Sequence, residues 1–545
     1  MRSAWLLGAI VLAGASGAAV MIALREPAAT PAPVIATPAP AVRIPNSDPP
    51  GEDTTIFARD YIGPDACSEC HPDQHARWSG SLHAVMNQRA STAAAVIGNW
   101  NGAAVDYAGG QARFDHDRDG YRMTLRRGRT EVAYRVTRTI GRRGLQEYVG
   151  VELGRADAVE VRLPFGWWPR RAGWYPQPYL DPWLGDEASF DAYAPVRERW
   201  AERCPWCHST YPLAQRIARA SRPDPVGHGL EQFFIAEPGG DALDVSAQVT
   251  TGISCESCHL GGRAHAAGAP IHFVPNGATA RPGAPVASRF SDERRDPAIV
   301  NTVCAQCHSG PSPRFPDGSA SRNSSEAIDL VAGTCTGITC IDCHDPHRAD
   351  SRGDHGRAIA ACVRCHQPFA DAARARAHAG HDGVDCTDCH MPALVMGIDR
   401  FVASHRISLP SNPAMLFAGA PNACNLCHPD RSLQWTLDEL REQYQVRVDV
   451  PARTSLRFDR PMGDLWLASR QPALRMLGAA AYARSPLGRT MLPRIAQQLT
   501  DPQPHVRAWA MFALEDVLGR RIDHAELDPR APSEHRARQL ARFPR

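Results

Sequence analysis

Residues 340–390 read CIDCHDPHRADSRGDHGRAIAACVRCHQPFADAARARAHAGHDGVDCTDCH. Three copies of Cys-x-x-Cys-His lie within this stretch: Cys340-Cys343-His344, Cys362-Cys365-His366 and Cys386-Cys389-His390. Working outward, Cys424-Cys427-His428 follows. Cys67-Cys70-His71, Cys204-Cys207-His208, Cys255-Cys258-His259 and Cys304-Cys307-His308 precede it. Two thiols at this spacing add across the two vinyl groups of a haem, and the adjacent imidazole becomes the proximal iron ligand. Zinc knuckles and disulfide frameworks need no His directly after every second Cys. The pattern therefore predicts eight covalently bound haem c groups. It accounts for every one of the 17 cysteines except Cys335, which reads as an incidental thiol.

Haem attachment of this kind takes place outside the cytoplasm, and the N-terminus agrees. Arg2 is followed by an apolar run from Trp5 to Leu24, closed by Arg25 and Glu26. Residues 1–26 read as a signal peptide or an N-terminal membrane anchor, and either one exports the rest of the chain. Residues 27–56 are an Ala/Pro-rich linker. The formal charge is only +2, which gives no footprint for a nucleic-acid partner. All 60 basic residues are Arg, so no lysine amine is available as a ligand or catalyst.

Residues 57–430 form the predicted octahaem domain. The gap between His71 and Cys204 leaves room for a haem-free module. Apolar–polar alternation with turns at Asp119-Gly120 and Arg127-Gly128 predicts a small antiparallel β insert over about 100–165. The cluster Phe165, Trp167, Trp168, Trp174, Tyr175, Tyr179 and Trp183 reads as packing against haems or the insert, with a substrate pocket as the alternative. Residues 431–545 contain no Cys, and their helical periods broken by Asp501-Pro502 suggest HEAT-like repeats. The expected fold class is mainly α: a haem-packed multihaem core with a small antiparallel β insert and a short C-terminal α-solenoid.

YIGPDACSECHPDQHARWSGSLHAVM (Tyr61–Met86) and CIDCHDPH (Cys340–His347) resemble segments of the multihaem cytochromes related to the nitrifier tetrahaem cytochrome. The Gly144–Tyr148 stretch, CHMP at Cys389–Pro392 and APNACNLCH at Ala420–His428 are similar to a bacterial subgroup whose haem core is followed by TPR or HEAT repeats. The resemblance implies haem binding but no particular reaction. Octahaem reductases with a lysine on the catalytic haem are a poor match to a chain without lysine.

The resemblance favours His83, His265, His347 and His405 as distal iron ligands. One of His378 and His381, just ahead of Cys386, is expected to be another. His355 and His228 are further candidates, and His272 competes with His265. Enough histidines lie outside the motifs to close every iron, which fits an electron carrier serving a membrane quinol oxidase or other cytochromes. Under that expectation the carrier is periplasmic, with inner-membrane anchoring if the N-terminus is retained, and the C-terminal repeats dock partner proteins. The alternative is a reductase or oxidase of small nitrogen or sulfur compounds. It would have one open haem, with arginines such as Arg170 and Arg171 holding the anion unless they pair with haem propionates. Intact-mass measurement of the mature protein should find eight haems, and replacing Cys340 and Cys343 with Ala should remove one. Six or fewer on the unaltered chain would refute the reading.

Overall fold

The computed structural model describes residues 55–181, 190–196, 198–222, 237–238, 244–269, 297–310, 312–335, 337–348, 355–452 and 457–543. All of them belong to the compact unit Val42–Arg545. The export segment 1–26, nearly all of the linker 27–56, Trp183, His228 and His272 lie outside the described residues.

The predicted alternation produces a seven-stranded antiparallel sheet: β1 Asn87–Arg89, β2 Asn101–Tyr107, β3 Gly110–Asp117, β4 Gly120–Arg127, β5 Thr130–Ile140, β6 Glu147–Glu152 and β7 Val161–Arg162. The order is β2-β3-β4-β5-β6-β7, with β1 paired to the far end of β5. Gly120, at φ +110°, closes the β3–β4 turn in a conformation that a side chain would strain. Alternate residues point to one face, so Phe114, Met123, Leu125, Tyr134 and Tyr148 are all buried there. Trp100 lies edge-on to Phe114, Tyr121, Tyr148 and Trp174. A hairpin of β8 Phe165–Trp168 and β9 Gly173–Pro176 brings Trp174 flat onto Phe114, with ring centroids 3.7 Å apart.

Each Cys-x-x-Cys-His motif lies on or beside a helix, and most of these helices are a single turn or little more. They are α1 Pro64–Ser68, α2 Pro205–His208, α3 Cys255–His259, α4 Pro297–His308, α5 Cys340–Cys343, α6 His355–Cys365, α7 Cys386–His390 and α8 Ala423–Cys427. From residue 355 to 391 the only buried side chain is Ala361. This stretch has no apolar core of its own and depends on what its cysteines and histidines hold.

The C-terminal region is helical: α9 Leu433–Glu442, α10 Met462–Leu467, α11 Pro472–Arg484, α12 Leu492–Gln497, α13 Pro504–Leu518 and α14 Ser533–Arg542. Helix α11 packs on α10 and α13. Gly463 allows the close approach of α10, since a Cβ there would fall 2.6 Å from the Tyr482 ring.

Helix α13 seals the sheet module. Trp168 meets Phe512 edge-on at 4.6 Å, and Arg507 donates to the Tyr179 hydroxyl at 2.6 Å and to the Pro529 carbonyl at 2.9 Å. Arg171 pairs with Glu515 and Arg170 with Asp516. These two arginines therefore clamp the tail rather than holding propionates or a substrate anion. Five of the six described members of the aromatic cluster, Phe165, Trp168, Trp174, Tyr175 and Tyr179, are buried in packing, while Trp167 is half-buried and lines a cavity together with Trp174 and the tail residues Ile522, His524 and Arg530. Among the described residues no helix is long and apolar enough to cross a membrane.

The fold is not mainly α with a minor insert. The seven-stranded sheet forms one side of the largest apolar cluster, which runs continuously into the C-terminal helices. Most motifs need only a short helical turn, whereas the long paired strands bury much of the apolar core.

Two outcomes follow from this packing. Trp174→Ala removes the ring stacked on Phe114 and should destabilise the sheet module by about 3–5 kcal/mol, read by thermal unfolding, with the haem count unchanged. At the seam, burial pushes both His505 and His524 down to about 4 from an ordinary 6.5. Both are neutral when folded and protonated in the unfolded chain below 6.5. The seam therefore loses stability as pH falls from 6.5 towards 4 and is unaffected above that window. Proteolysis of the tail at pH 4.5 against pH 7 should show the difference, and the double variant His505→Gln/His524→Gln should flatten it.

Candidate haem-binding site

The motif helices touch in succession: α1 with α3, α4 with α5, α5 with α6, α6 with α7, and α7 with α8. Gln306 of α4 donates to the Ser257 carbonyl of α3 at 3.2 Å and closes the one remaining step. The order is thus α1–α3–α4–α5–α6–α7–α8. The motif on α2 branches from α4, where Cys207 lies beside Cys307. Similar thiol contacts join Cys67 to Cys255 and Cys304 to Cys340. Cys335 lies near Cys365, outside any motif, with burial raising its thiol above the ordinary value.

Six of the eight motif histidines face a second imidazole from elsewhere in the chain. The pairs are His71 with His265 at 6.2 Å between ring centroids, His308 with His83 at 6.5 Å and His259 with His347 at 6.2 Å. The others are His344 with His405 at 6.1 Å, His390 with His378 at 6.4 Å and His428 with His381 at 6.3 Å. Two metal–nitrogen bonds of about 2 Å each, plus the depth of two rings, span roughly 6 Å. An iron with two axial imidazoles fits every one of these gaps. The free cysteines Cys70, Cys365 and Cys427 are exposed in the protein alone, as is about half of the His308 side chain, and a porphyrin would cover such surface.

Of the distal candidates, His83, His265, His347, His405, His378 and His381 thus all face a motif imidazole. Either His378 or His381 was expected, and both do so, on different motifs. They can because Gly380, in the left-handed region at φ +65°, ends the helix Ala372–Ala379 between them. His355 faces no motif imidazole and lies 3.5 Å from the Asp385 carboxylate. His75 packs on Trp78, and His116 stacks on Tyr121 in the sheet.

The outer nitrogens of these rings set their orientation. The Nδ1 atoms of His265, His381 and His390 bond backbone carbonyls at Ala269, Ala379 and Ser408, at 2.8, 2.8 and 2.9 Å. His308 Nδ1 instead meets the Glu326 carboxylate at 3.1 Å. Partial desolvation opposes charge on both groups, but their shared hydrogen bond outweighs it, raising His308 to about 9 and lowering Glu326 to about 2. Sequence reading missed Glu326, because nothing in the sequence around it marks it as reaching a motif.

His208 and His366 differ from the other six: among the described residues no second histidine ring faces either one. The ring beside His208 is Trp200, at 6.4 Å. Burial, reinforced by the nearby Arg162 charge, pushes His208 down to about 4, and its Nδ1 is buried without a hydrogen-bond partner. Trp200 Nε1 and Arg138 Nη1 are likewise buried and unpaired, with the Arg138 guanidinium 5.4 Å from the Trp200 ring. The Arg138 Nε is paired with the Glu160 carboxylate at 2.9 Å, so the unpaired nitrogens near this motif are His208 Nδ1, Trp200 Nε1 and one terminal nitrogen of Arg138.

No family model matches the chain, and no curated protein matches it in sequence. Two solved structures are similar to it. The outer cell wall cytochrome OcwA is 14% identical, covering 88% of this chain and 98% of that one, with a TM-score of 0.38. The octahaem sulfite reductase MccA of Wolinella succinogenes is 14% identical, covering 90% of this chain and 86% of that one, with a TM-score of 0.31. At those scores neither likeness assigns a fold or a function, and the case for haem rests on the motifs and the facing imidazoles.

Proposed function

We propose that the protein is an extracytoplasmic octahaem cytochrome that conducts electrons between redox proteins. The observation that carries this reading is the unbroken succession of motif helices, in which six motif histidines each face a second imidazole. Bound haems would supply one-electron chemistry. The chain's own part is to fix their spacing through the short helices, close both axial positions, and tune each site through the partner of the outer imidazole nitrogen. Donors and acceptors of the membrane quinol oxidase or cytochrome class fit this role. Export by residues 1–26, retention as an anchor, and partner docking on the C-terminal helices belong to the same proposal.

A second reading has one specific observation behind it. His208 faces Trp200 rather than a histidine among the described residues, beside the unpaired donors of Arg138 and Trp200. A haem there with a free sixth position would suit a small nitrogen or sulfur oxyanion, met by the one unpaired terminal nitrogen of Arg138, whose Nε is held by Glu160.

Spin state separates the two. A pure conduit should show only low-spin ferric signals in EPR, and cyanide, nitrite or sulfite should leave its spectrum unchanged. A stoichiometric high-spin signal perturbed by nitrite or sulfite would replace the conduit with the reductase or oxidase reading. His83→Ala and His347→Ala should each create one new high-spin haem. If neither does, the axial pairs are wrong.

A further inference from the structure

We propose that Glu326 holds the haem anchored by His308 at a lower potential than the haems whose imidazoles bond backbone carbonyls, so that the junction of the haem line is its hardest point to reduce. This deepens the conduit reading and rests on its assignment of His308 and His83 as an axial pair. The His308 ring gives its Nδ1 proton to a carboxylate at 3.1 Å, while His265, His381 and His390 bond neutral carbonyl oxygens. A carboxylate that draws the imidazole proton makes the ring a stronger donor to iron. The ferric state, with one more positive charge than the ferrous, gains most.

The carboxylate is held in place rather than swinging in solvent. Its other oxygen, Oε1, accepts from the Ser324 amide at 2.9 Å. The Ser324–Ser325 backbone is pinned in turn, since Ser325 Oγ donates to the Gly310 carbonyl at 2.5 Å and the Gly310 amide donates to Ser324 at 2.7 Å. Gly310 follows His308 by two residues, so the loop that leaves the motif also fixes its acid. Glu326 shares a small void with His405, the imidazole facing His344 on the next motif. One negative charge thus sits between two successive haem positions, at the helix where the α2 branch joins. Glu326 is a positioning and electrostatic residue, not a ligand.

The test is a potentiometric titration of the holoprotein with dithionite, in which each ferric iron takes one electron and no covalent bond changes. It is followed by low-temperature EPR. The His83 and His308 ring planes cross at 79°, whereas four of the other five pairs lie within 23° of parallel. Crossed planes give a strongly anisotropic low-spin signal, which marks this haem in the titration. Glu326→Gln keeps the shape and removes the charge. It should move that signal's ferric-to-ferrous equilibrium at least tenfold towards reduction, about 59 mV for a one-electron couple. Glu442→Gln, at an exposed glutamate on α9, should move nothing.

Should the amide variant lose a haem, Glu326→Asp is read in its place. It keeps the charge at shorter reach, so it should shift the same signal in the same direction by less. An unmoved signal in a low-spin, eight-haem Glu326→Gln protein overturns the inference and leaves the conduit reading standing. A shifted signal in a protein whose wild type also carries a nitrite-binding high-spin haem supports the inference while the pure conduit reading falls.

Discussion

The fold brings imidazoles from distant parts of the chain into facing pairs, at the separation that two axial ligands of one iron would need. His265 returns to His71, His83 crosses to His308 and His347 to His259, so segments far apart in sequence are tied at fixed separation. Each such closure restrains a long loop, and closing long loops costs only slowly more entropy with length. A few strong ties can therefore organise a chain whose local sequence would not fold alone. Residues 355–391, with one buried side chain, illustrate the point: their short helices have neither the length nor the apolar face to be stable alone. Binding free energy at such sites is folding free energy, as in other domains built around a metal.

The other part of the molecule is organised by side-chain packing. The sheet and the C-terminal helices share Trp100, Trp168, Trp174, Tyr148 and Phe512 in one aromatic-rich cluster, and the guanidiniums of Arg170, Arg171 and Arg507 cross the seam. The two regimes meet near residues 394–426. There Leu394, Val395 and Met396, which follow the seventh motif, and Leu426, inside the eighth, belong to the same apolar cluster. The packed body therefore braces one end of the motif line. At the other end, a small separate cluster of Ile56, Phe57, Leu213, Ala214 and Leu260 supports α1 to α3.

What the sequence revealed follows this division. The motifs were legible because thioether attachment fixes residue type and spacing locally. The strand alternation at Tyr121–Leu125 and Val132–Arg138 was legible because one face of the sheet is buried. The partners of Arg170 and Arg171 were not, since Glu515 and Asp516 lie in the last helices and nothing local points across that distance. His378 and His381 read as rivals because only Ala379 and Gly380 lie between them. The helix end at Gly380 turns them towards different motifs, a fact of backbone direction and not of composition. The weight of the sheet in the fold was missed for a similar reason. Each cysteine motif needs little more than a single turn, whereas strands β3 and β4 bury alternate side chains and β5 and β6 bury several more.

The line of motifs is also uneven in its chemistry. Where outer imidazole nitrogens meet backbone carbonyls, the protein contributes a dipole fixed by the fold and insensitive to side-chain replacement. At His308 it contributes a full charge, set by one residue on the helix Glu326–Val331 and therefore adjustable by a single substitution. At His208 the outer nitrogen has no partner and the neighbouring donors are unpaired. That ring contrasts with His308, whose outer nitrogen meets a carboxylate. These two contrasting sites lie side by side, because α2 touches the line at α4. Under the conduit reading, a carboxylate on one side of this step and unpaired donors on the other would give the two haem positions ligands of different basicity.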